Sequence, residues 1–246
     1  MSKIQILNDS FCKFLNLSKL RESIESQELL VQINKDNMIC KGVFAKANLN
    51  LLCFKGILKG TFEDWGDLGI GNLPQLTNFI NLTETKQIFL KKTENKLICE
   101  LGNVKFSSVL RNPKYINNNL EDEKYNLVKN KSIGNEFILK SKQVKEIVSC
   151  LSKIKATKIF FSGDAKQLIL KTENQNGDEL VVNFDVESVG ISAFTCKVSI
   201  IFVELLKTLT DYDLTVSMKN NCPIFVGLEK DELKFEFFVA PLEDKK

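Results

Sequence analysis

The clearest hydrophobic pattern in this chain lies in the stretch SKQVKEIVSCLSKI, which begins at Ser141 and ends at Ile154. Apolar residues recur there with the 3.6-residue period of a helix, at Val144, Ile147, Val148, Leu151 and Ile154. Polar residues fall on the opposite side, and they are Lys142, Lys145, Ser149 and Lys153, with Glu146 among them. The pattern predicts an amphipathic helix with a basic face, and Ser141 is its expected N-cap.

Alternating runs typical of strands follow this helix, in TKIFFSGDAKQLILKT and DELVVNFDVES. The first half of the chain has the same order. FLNLSKLRESIES aligns with FILKSKQVKEIVS, and ELLVQINKDNMICKGVF and LNLLCFKGIL then read as strands. A helix that started at Ser10 would place Phe11, Phe14 and Leu15 on a different face from later apolar residues, namely Leu17, Leu20 and Ile24. We therefore expect a strand to about Asn16 and a short helix from Ser18.

Each half carries a second helical pattern, NLPQLTNFINL with Pro74 in its first turn, and SIIFVELLKTLTD. We expect two further strands after each of them. The repeated order indicates a duplication. The segment 112–135 between the halves is polar and has no helical or strand period, so we expect a structureless connector. The predicted organisation is a first domain at 1–113, a connecting loop at 114–134 and a second domain at 135–246.

Composition narrows the function. The chain has no histidine, which removes Ser-His and Cys-His nucleophiles and the commonest zinc ligand. Its seven cysteines are scattered, and we expect reduced thiols in the core. The start of the chain has no secretory signal, and no apolar run approaches the roughly 20 residues that span a bilayer. We expect a cytoplasmic or nuclear-type compartment and no membrane partner.

Two sequence features could indicate an enzyme, a glycine-rich stretch and pairs of carboxylates, but neither has the pattern that such a site needs. GDLGIGN, Gly66 to Asn72, lacks the Gly-Lys-Ser/Thr of a phosphate-binding loop. The carboxylate pairs lie in turn-like or connector segments, at Asp211 with Asp213 and at Glu121 with Glu123. We therefore expect no metal, no cofactor and no enzymatic activity.

The C-terminal stretch LTVSMKNNCPIFVGLEKDELKFEFFVAPLED resembles the end of DNA sliding clamps of the proliferating-cell-nuclear-antigen type. The shared features are a Ser-Met strand, a turn leading to a proline, a hairpin, paired aromatics, and an Ala-Pro step with acidic residues. The plan of two similar halves also resembles the clamps of tailed phages. The resemblance implies an α+β DNA-clamp fold, with two similar domains per subunit. Each domain has two helices packed on antiparallel sheets, and three subunits close a ring around duplex DNA.

The resemblance also implies two sets of site residues. The DNA-facing set is Lys142, Lys145, Lys153, Lys19, Arg21 and Lys207, whereas Lys13 would precede its helix. The pocket for short peptides of DNA polymerase, the clamp loader and other replication proteins is Pro223, Phe238, Val239, Ala240, Pro241 and Leu242, with Val43 and Leu49 from the first half. Because LPQLTNFINL has no basic residue, we expect the charge of the ring's bore to be weighted toward the second domain.

Ring closure would pair two edge strands, Gly102 to Leu110 and Asp178 to Glu187. Two alternatives stay open at this point. A monomeric clamp-like processivity factor would bind DNA by charge without encircling it, although the net charge is only +3. A β-rich scaffold protein would not bind DNA at all. The composition, rich in Lys, Asn and Ile, is typical of an AT-rich genome, and the poor match of the first half to cellular clamps favours a viral or phage origin.

Overall fold

The computed structural model describes residues 3–19, 27–46, 49–82, 86–116, 119–163, 167–189 and 193–242, without the side chains of 45–46, 49–51 and 188–189. The chain divides into two compact units, which are described separately below. The first comprises Met1–Phe44, Cys53–Glu121 and Glu229–Phe235, and the second comprises Ala45–Leu52, Asp122–Leu228 and Glu236–Lys246.

The first unit holds two helices and antiparallel strands. The order along the chain is β1 (Lys3–Leu7), α1 (Asn8–Lys19), β2 (Leu29–Ile33), β3 (Asn37–Lys46), β4 (Leu49–Lys59), β5 (Gly66–Ile70), α2 (Leu73–Ile80), β6 (Gln87–Lys92), β7 (Lys96–Leu101) and β8 (Val104–Arg111). The strands lie side by side in the orders β1-β6-β7-β8 and β5-β2-β3-β4. The two helices, α1 and α2, pack against each other.

The second unit begins with a helix in the connector, α3 (Asp122–Lys131). It continues with β9 (Asn135–Leu139), α4 (Ser141–Ile154), β10 (Lys158–Gly163), β11 (Gln167–Glu173), β12 (Glu179–Asp185), β13 (Glu187–Val189), β14 (Phe194–Lys197), α5 (Ile200–Thr208), β15 (Leu214–Met218), β16 (Ile224–Lys230) and β17 (Leu233–Val239). The strand orders are β17-β16-β15-β9-β13 and β12-β11-β10-β14. The helices α4 and α5 pack against each other.

The two units repeat one topology. The run β1-β6-β7-β8 corresponds to β9-β15-β16-β17, and the run β5-β2-β3-β4 corresponds to β14-β10-β11-β12. In both units one helix follows the first strand and the other precedes the last three strands. The duplication inferred from the repeated order is therefore present at the level of strand pairing, and the α+β class is confirmed. The exact domain limits stay a prediction.

The first helix corrects the expectation for the N-terminal segment. Residues Asn8 to Lys19 are helical, not a strand to Asn16. The buried residues Phe11, Phe14, Leu15 and Ser18 have i, i+3, i+4 and i+7 spacing and form one face. The prediction was wrong because it judged the face of Phe11, Phe14 and Leu15 against apolar residues later in the sequence; of these, Leu20 and Ile24 lie outside the described residues, as does most of the helix expected from Ser18. Lys13 therefore lies on the helix.

The connector and the strand count also differ from expectation. Residues 122–131 form α3, although the sequence predicted no regular element there. Three strands, not two, follow each second helix, because each long β-run is broken by two short turns. In the first unit, for example, the hydroxyl of Thr93 accepts a hydrogen bond from the backbone N–H of Lys96 at one of these turns.

The remaining local predictions concern GDLGIGN and the thiols. Gly66 to Ile70 form β5, which pairs with β2, so this stretch is a strand and not a phosphate-binding loop. On its other side β5 approaches β8, and a Cβ at Gly69 would lie 2.3 Å from the carbonyl oxygen of Arg111. The close approach of β5 and β8 therefore needs a glycine. The cysteines are free, as expected. Burial raises the pKa of both Cys40 and Cys99 to about 12, so these thiols are protonated and act as small apolar side chains.

Candidate functional site

The basic face of α4 is solvent-exposed along the helix. Val144, Ile147 and Leu151 are buried on one side of α4. The lysines at 142, 145 and 153 are exposed on the opposite side. Lys145 lies 2.9 Å from the carboxylate of Asp211, and both side chains are largely exposed. A surface pair of this kind contributes little to stability, about 0–1 kcal/mol, so the lysine can exchange this partner for an anion at little cost.

The start of α4 is held by side chains rather than by Ser141 as N-cap. Lys140 precedes the helix with extended backbone, and its N–H donates to Oε1 of Gln143 at 2.8 Å. The N–H of Ser141 donates to Oδ1 of Asp213 at 2.8 Å. The predicted N-cap was therefore one residue too late. Both bonds satisfy N–H groups that a helix start leaves without partners, and they fix where the lysine face begins.

The other predicted DNA-facing residues that the structure describes lie on other helices. Lys19 is the half-buried last residue of α1. Lys207 lies on α5 and is 2.7 Å from the carboxylate of Glu204, one turn earlier. Arg21 lies outside the described residues. The lysine face, meaning Lys142, Lys145 and Lys153, is thus the one set that a single helix side brings together, and its DNA contacts stay a prediction.

The predicted pocket residues in the second unit differ widely in exposure. Phe238 and Val239 are buried, with 1% and 0% of their surfaces exposed. Pro223, Ala240 and Pro241 are half-buried, and Leu242 is 41% exposed. In the first unit Val43 is half-buried, whereas the side chain of Leu49 lies outside the description. The apolar surface near the end of β17 is therefore graded, from a buried aromatic to an open aliphatic side chain.

An aromatic cluster surrounds Phe238. Its ring centroid lies 5.5 Å from that of Phe225 on β16 and 5.6 Å from that of Tyr125 on α3, where the two rings meet edge to face. The hydroxyl of Tyr125 donates a hydrogen bond to the carboxylate of Glu236. Nζ of Lys129 lies 3.0 Å from the same carboxylate. The connector helix and the C-terminal strand therefore share a small polar and aromatic contact.

A cavity of about 190 Å³ opens beside this cluster. Its lining is Lys129, Ser132, Ile133, Gly134, Glu136, Ser217 and Phe225. The segment after α3 is tied to β15, because the N–H of Gly134 donates to the hydroxyl of Ser217, which in turn donates to the carbonyl of Ser132. The cavity has an apolar wall and a rim with one cation and one carboxylate, which suits a side chain of a peptide rather than a metal ion.

The two strands expected to close a ring, β8 and β12, both present unpaired edges among the described strands. Only Leu110 and Arg111 of β8 pair with β5, which leaves the rest of that edge without a strand partner there. β12 ends its sheet and pairs with β11 alone among the described strands. Val109 on β8 and Val181 on β12 are 67% and 55% exposed. Exposed edges with apolar side chains are surfaces on which another strand can pair.

The described residues offer no metal site and no membrane span. They contain no group of three or more acidic or cysteine side chains placed to hold a metal ion. No helix in the described segments is both long and apolar enough to cross a membrane. The paired carboxylates named from the sequence include Asp211 and Asp213, and both serve α4 through Lys145 and Ser141.

Solved structures supply the comparison that decides the fold. No protein-family model matches the sequence, and no curated protein matches it. The structure of Archaeoglobus fulgidus PCNA bound to the C-terminal region of FEN-1 superposes with a TM-score of 0.80 over 100% of both chains, at 14% identity. The fold is that of the DNA sliding clamps. PCNA from Entamoeba histolytica gives a TM-score of 0.78 at 14% identity, covering 99% of this chain and 100% of that one.

The clamp fold is also shared with a bacterial type. A putative DNA polymerase III beta subunit from Eubacterium rectale matches with a TM-score of 0.76 at 12% identity, over 99% of this chain and 66% of that chain. The clamp fold predicted from the C-terminal stretch is confirmed. At these identities the likeness establishes the fold, and roles of single residues must be argued from the chain itself.

Sequence reasoning missed Glu236 as a contact of the connector. Tyr125 was visible as the aromatic residue of a polar segment, but its partner is more than a hundred residues away in the chain. Phe235 and Phe237 alternate along β17, and both are fully buried. The same alternation places Glu236 on the face of Phe238, which is the signal that could have paired it with the connector.

Proposed function

We propose that this protein is a DNA sliding clamp, a polymerase processivity factor that encircles duplex DNA without reading its sequence. The observation that carries the proposal is the lysine face of α4 in a chain with the clamp fold. Three exposed lysines lie opposite the buried stripe of one helix. Such a face suits contact with a polyanion, because its apolar side is already used in the core.

Lysine suits a clamp that must move along DNA. Phosphate contacts bind without specifying sequence, whereas contacts to base edges would fix a register. Lysine presents a point charge on a flexible stem, in contrast to the rigid fork of arginine. The weak surface pair of Lys145 with Asp211 fits this role, since DNA phosphate can replace the carboxylate. Lys19, Arg21 and Lys207 are proposed as further contacts, of which Lys207 must first leave Glu204.

The second part of the proposal is that the end of β17 holds short peptides of the DNA polymerase, the clamp loader and other replication proteins. The A. fulgidus structure contains PCNA bound to the C-terminal region of FEN-1, which supports a peptide-docking role in this fold. In this chain the proposed docking site is the apolar surface around Phe238, with Pro223, Ala240, Pro241 and Leu242. Val43 and Leu49 are proposed as additional contacts.

The third part is assembly into a homotrimeric ring by pairing of β8 of one copy with β12 of the next. Charge gives this pairing some support, since the free part of β8 carries Lys105, whereas β12 carries Asp185 and Glu179, the latter 2.9 Å from Lys171 on β11. Head-to-tail contacts of this kind close into a ring when the rotation suits. The proposed role requires no cofactor, no metal and no chemical step, and a membrane has no part in it.

The assembly is tested by light-scattering mass over a dilution series. Three copies give three times 27.9 kDa, and a mass that falls on dilution indicates a weak ring that a loader has to manage. A mass of one copy at every concentration contradicts the ring and favours the monomeric clamp-like factor. If such a monomer also fails to bind duplex DNA at low salt, the scaffold interpretation replaces both.

A further inference from the structure

The connector helix α3 buries a single side chain. Of its ten residues, all of which are described, only Tyr125 is buried, and its exposed fraction is 4%. The helix is otherwise polar, and Leu127 is 56% exposed. A short helix of this composition has little stability of its own in water. Its position therefore depends on contacts with the rest of the unit, among them those of Tyr125 and Lys129 and the link of Ser132 to Ser217 just after the helix.

Tyr125 and Lys129 both contact the end of β17, at Phe238 and Glu236. The Tyr125 ring packs edge to face on Phe238, and its hydroxyl donates to the Glu236 carboxylate. Lys129, four residues later on the same side of the helix, binds the other carboxylate oxygen at 3.0 Å. The Glu236 side chain is only 12% exposed. A carboxylate that is this deeply placed needs donors, because burying an unpaired charge is costly.

We propose that α3 is a built-in occupant of the partner-docking site, and that partner peptides bind by displacing Tyr125 from Phe238 and Glu236. This inference rests on the proposed docking role of β17. The partner it fits is a short helical segment that carries an aromatic residue, preferably a tyrosine, and a lysine or arginine four residues later. Such a segment reproduces the contacts of Tyr125 and Lys129 with Glu236, whereas an anchor without a cation loses the second of them.

Because α3 belongs to the same chain as its binding site, it competes with every partner peptide for that site. A segment linked to its site by a short connection has an effective concentration in the millimolar range. A free peptide must therefore outcompete α3, and its apparent affinity falls by the fraction of time for which the site is open. The cavity beside Phe225 stays unfilled by Tyr125 and can take a second side chain of the partner. Exposed Ile133 at its edge extends this apolar surface.

The test uses the chain's own connector as the probe. A fluorescein-labelled peptide with the sequence of residues 120–133, LEDEKYNLVKNKSI, is titrated with the full-length protein and read by anisotropy. We expect the Tyr125→Ala protein to bind this peptide at least tenfold more tightly than the unaltered protein. Tyr115→Ala is the matched control, since Tyr115 is 68% exposed in the turn 113–115, and it should bind as weakly as the unaltered protein.

A second peptide, with alanine in place of its tyrosine, should not bind to Tyr125→Ala, and adding Glu236→Gln should weaken the first peptide at least fivefold. Equal affinity of the unaltered and Tyr125→Ala proteins for the first peptide overturns the proposal, as does equal affinity of the two peptides for the variant.

If Tyr125→Ala does not fold, the Tyr125→Phe variant is used instead. It keeps the ring and removes the hydroxyl that donates to Glu236, so it should bind the first peptide severalfold more tightly than the unaltered protein. Because no DNA or polymerase is present, failure here leaves the ring and DNA proposals standing.

Discussion

At the scale of single residues, the charged side chains around α4 differ in what they contact. Some bond the backbone at the start of the helix, whereas the lysine face is exposed to solvent. Asp213 holds the first turn of α4, and Gln143 satisfies the residue before it. The three lysines of the lysine face carry no such structural duty in the bonds described above, apart from the surface pair of Lys145 with Asp211. Removing their charges should therefore change DNA binding far more than folding.

The triple variant Lys142→Ala, Lys145→Ala, Lys153→Ala tests this separation. Each phosphate contact contributes about 0.9 to the slope of log affinity against log salt, so the triple variant should lower the slope for duplex DNA by about 2 to 3. The melting temperature should stay nearly unchanged, because exposed substitutions usually alter stability by less than ~0.5 kcal/mol. The measurement is a salt titration of binding to a short duplex, repeated with a second duplex sequence.

A charge-matched control distinguishes a bound face from a general loss of positive charge. The control removes Lys35, Lys96 and Lys114, which are exposed and lie in the first unit. It lowers the net charge by the same amount, and its salt slope should match that of the unaltered protein. If both triple variants lose affinity equally, the binding is non-specific attraction to the whole surface and the lysine face has no special role.

At the scale of elements, the edge strands β8 and β12 are the surfaces on which the proposed assembly depends. β8 and β12 each have an exposed valine on an edge without a described partner along most or all of its length. An aspartate at such a position adds charge where another strand would approach, and natural edge strands use charges in this way to block pairing. The backbone of the unit itself is not altered by this change.

We therefore expect Val109→Asp and Val181→Asp each to reduce the light-scattering mass to 27.9 kDa. Leu82→Asp is the control, because Leu82 is 75% exposed, follows α2, and lies outside both edges. It should keep the mass of the unaltered protein. An unchanged mass for both valine variants would show that neither edge joins the copies, and ring closure would have to use other surfaces.

The elements also show how far sequence patterns reach. α4 was predicted to within one residue of its observed start, because an unbroken apolar stripe and a basic face identify a helix without tertiary information. α3 was missed because it buries one residue and so has no stripe to detect. α1 was missed because the apolar face of Phe11, Phe14 and Leu15 was judged against apolar residues later in the sequence. The clamp fold itself could be predicted from the final strands, where proline, paired aromatics and the hairpin coincide.

Contacts between residues far apart in the sequence could not be predicted from the hydrophobic pattern. The pairing of Tyr125 with Glu236 depends on the path of the connector over β17, and nothing near either residue in the sequence indicates it. The same is true of Asp213 at the start of α4. Local periodicity predicts which face of an element is buried, but it does not predict which polar side chain from elsewhere will meet it.

At the scale of the whole molecule, the duplication is close in topology and uneven in charge. Both units have the same strand orders and a pair of packed helices. Yet α2 has no basic residue, whereas its counterpart α5 carries Lys207, and α4 carries the lysine face. With a net charge of only +3, the proposed clamp would rely on topology, more than on charge, to stay on DNA.

The most direct test of this central claim is retention on DNA whose end can be closed. Concentrated protein is allowed to thread onto linear duplexes anchored to beads by one end. The free end is then either blocked with streptavidin or left open, and the beads are washed at high salt to remove charge-bound protein. If the protein encircles DNA, we expect the unaltered protein to be retained on blocked DNA and lost from open DNA. We expect the Val109→Asp variant to be retained on neither. Equal loss from both kinds of DNA would contradict encirclement.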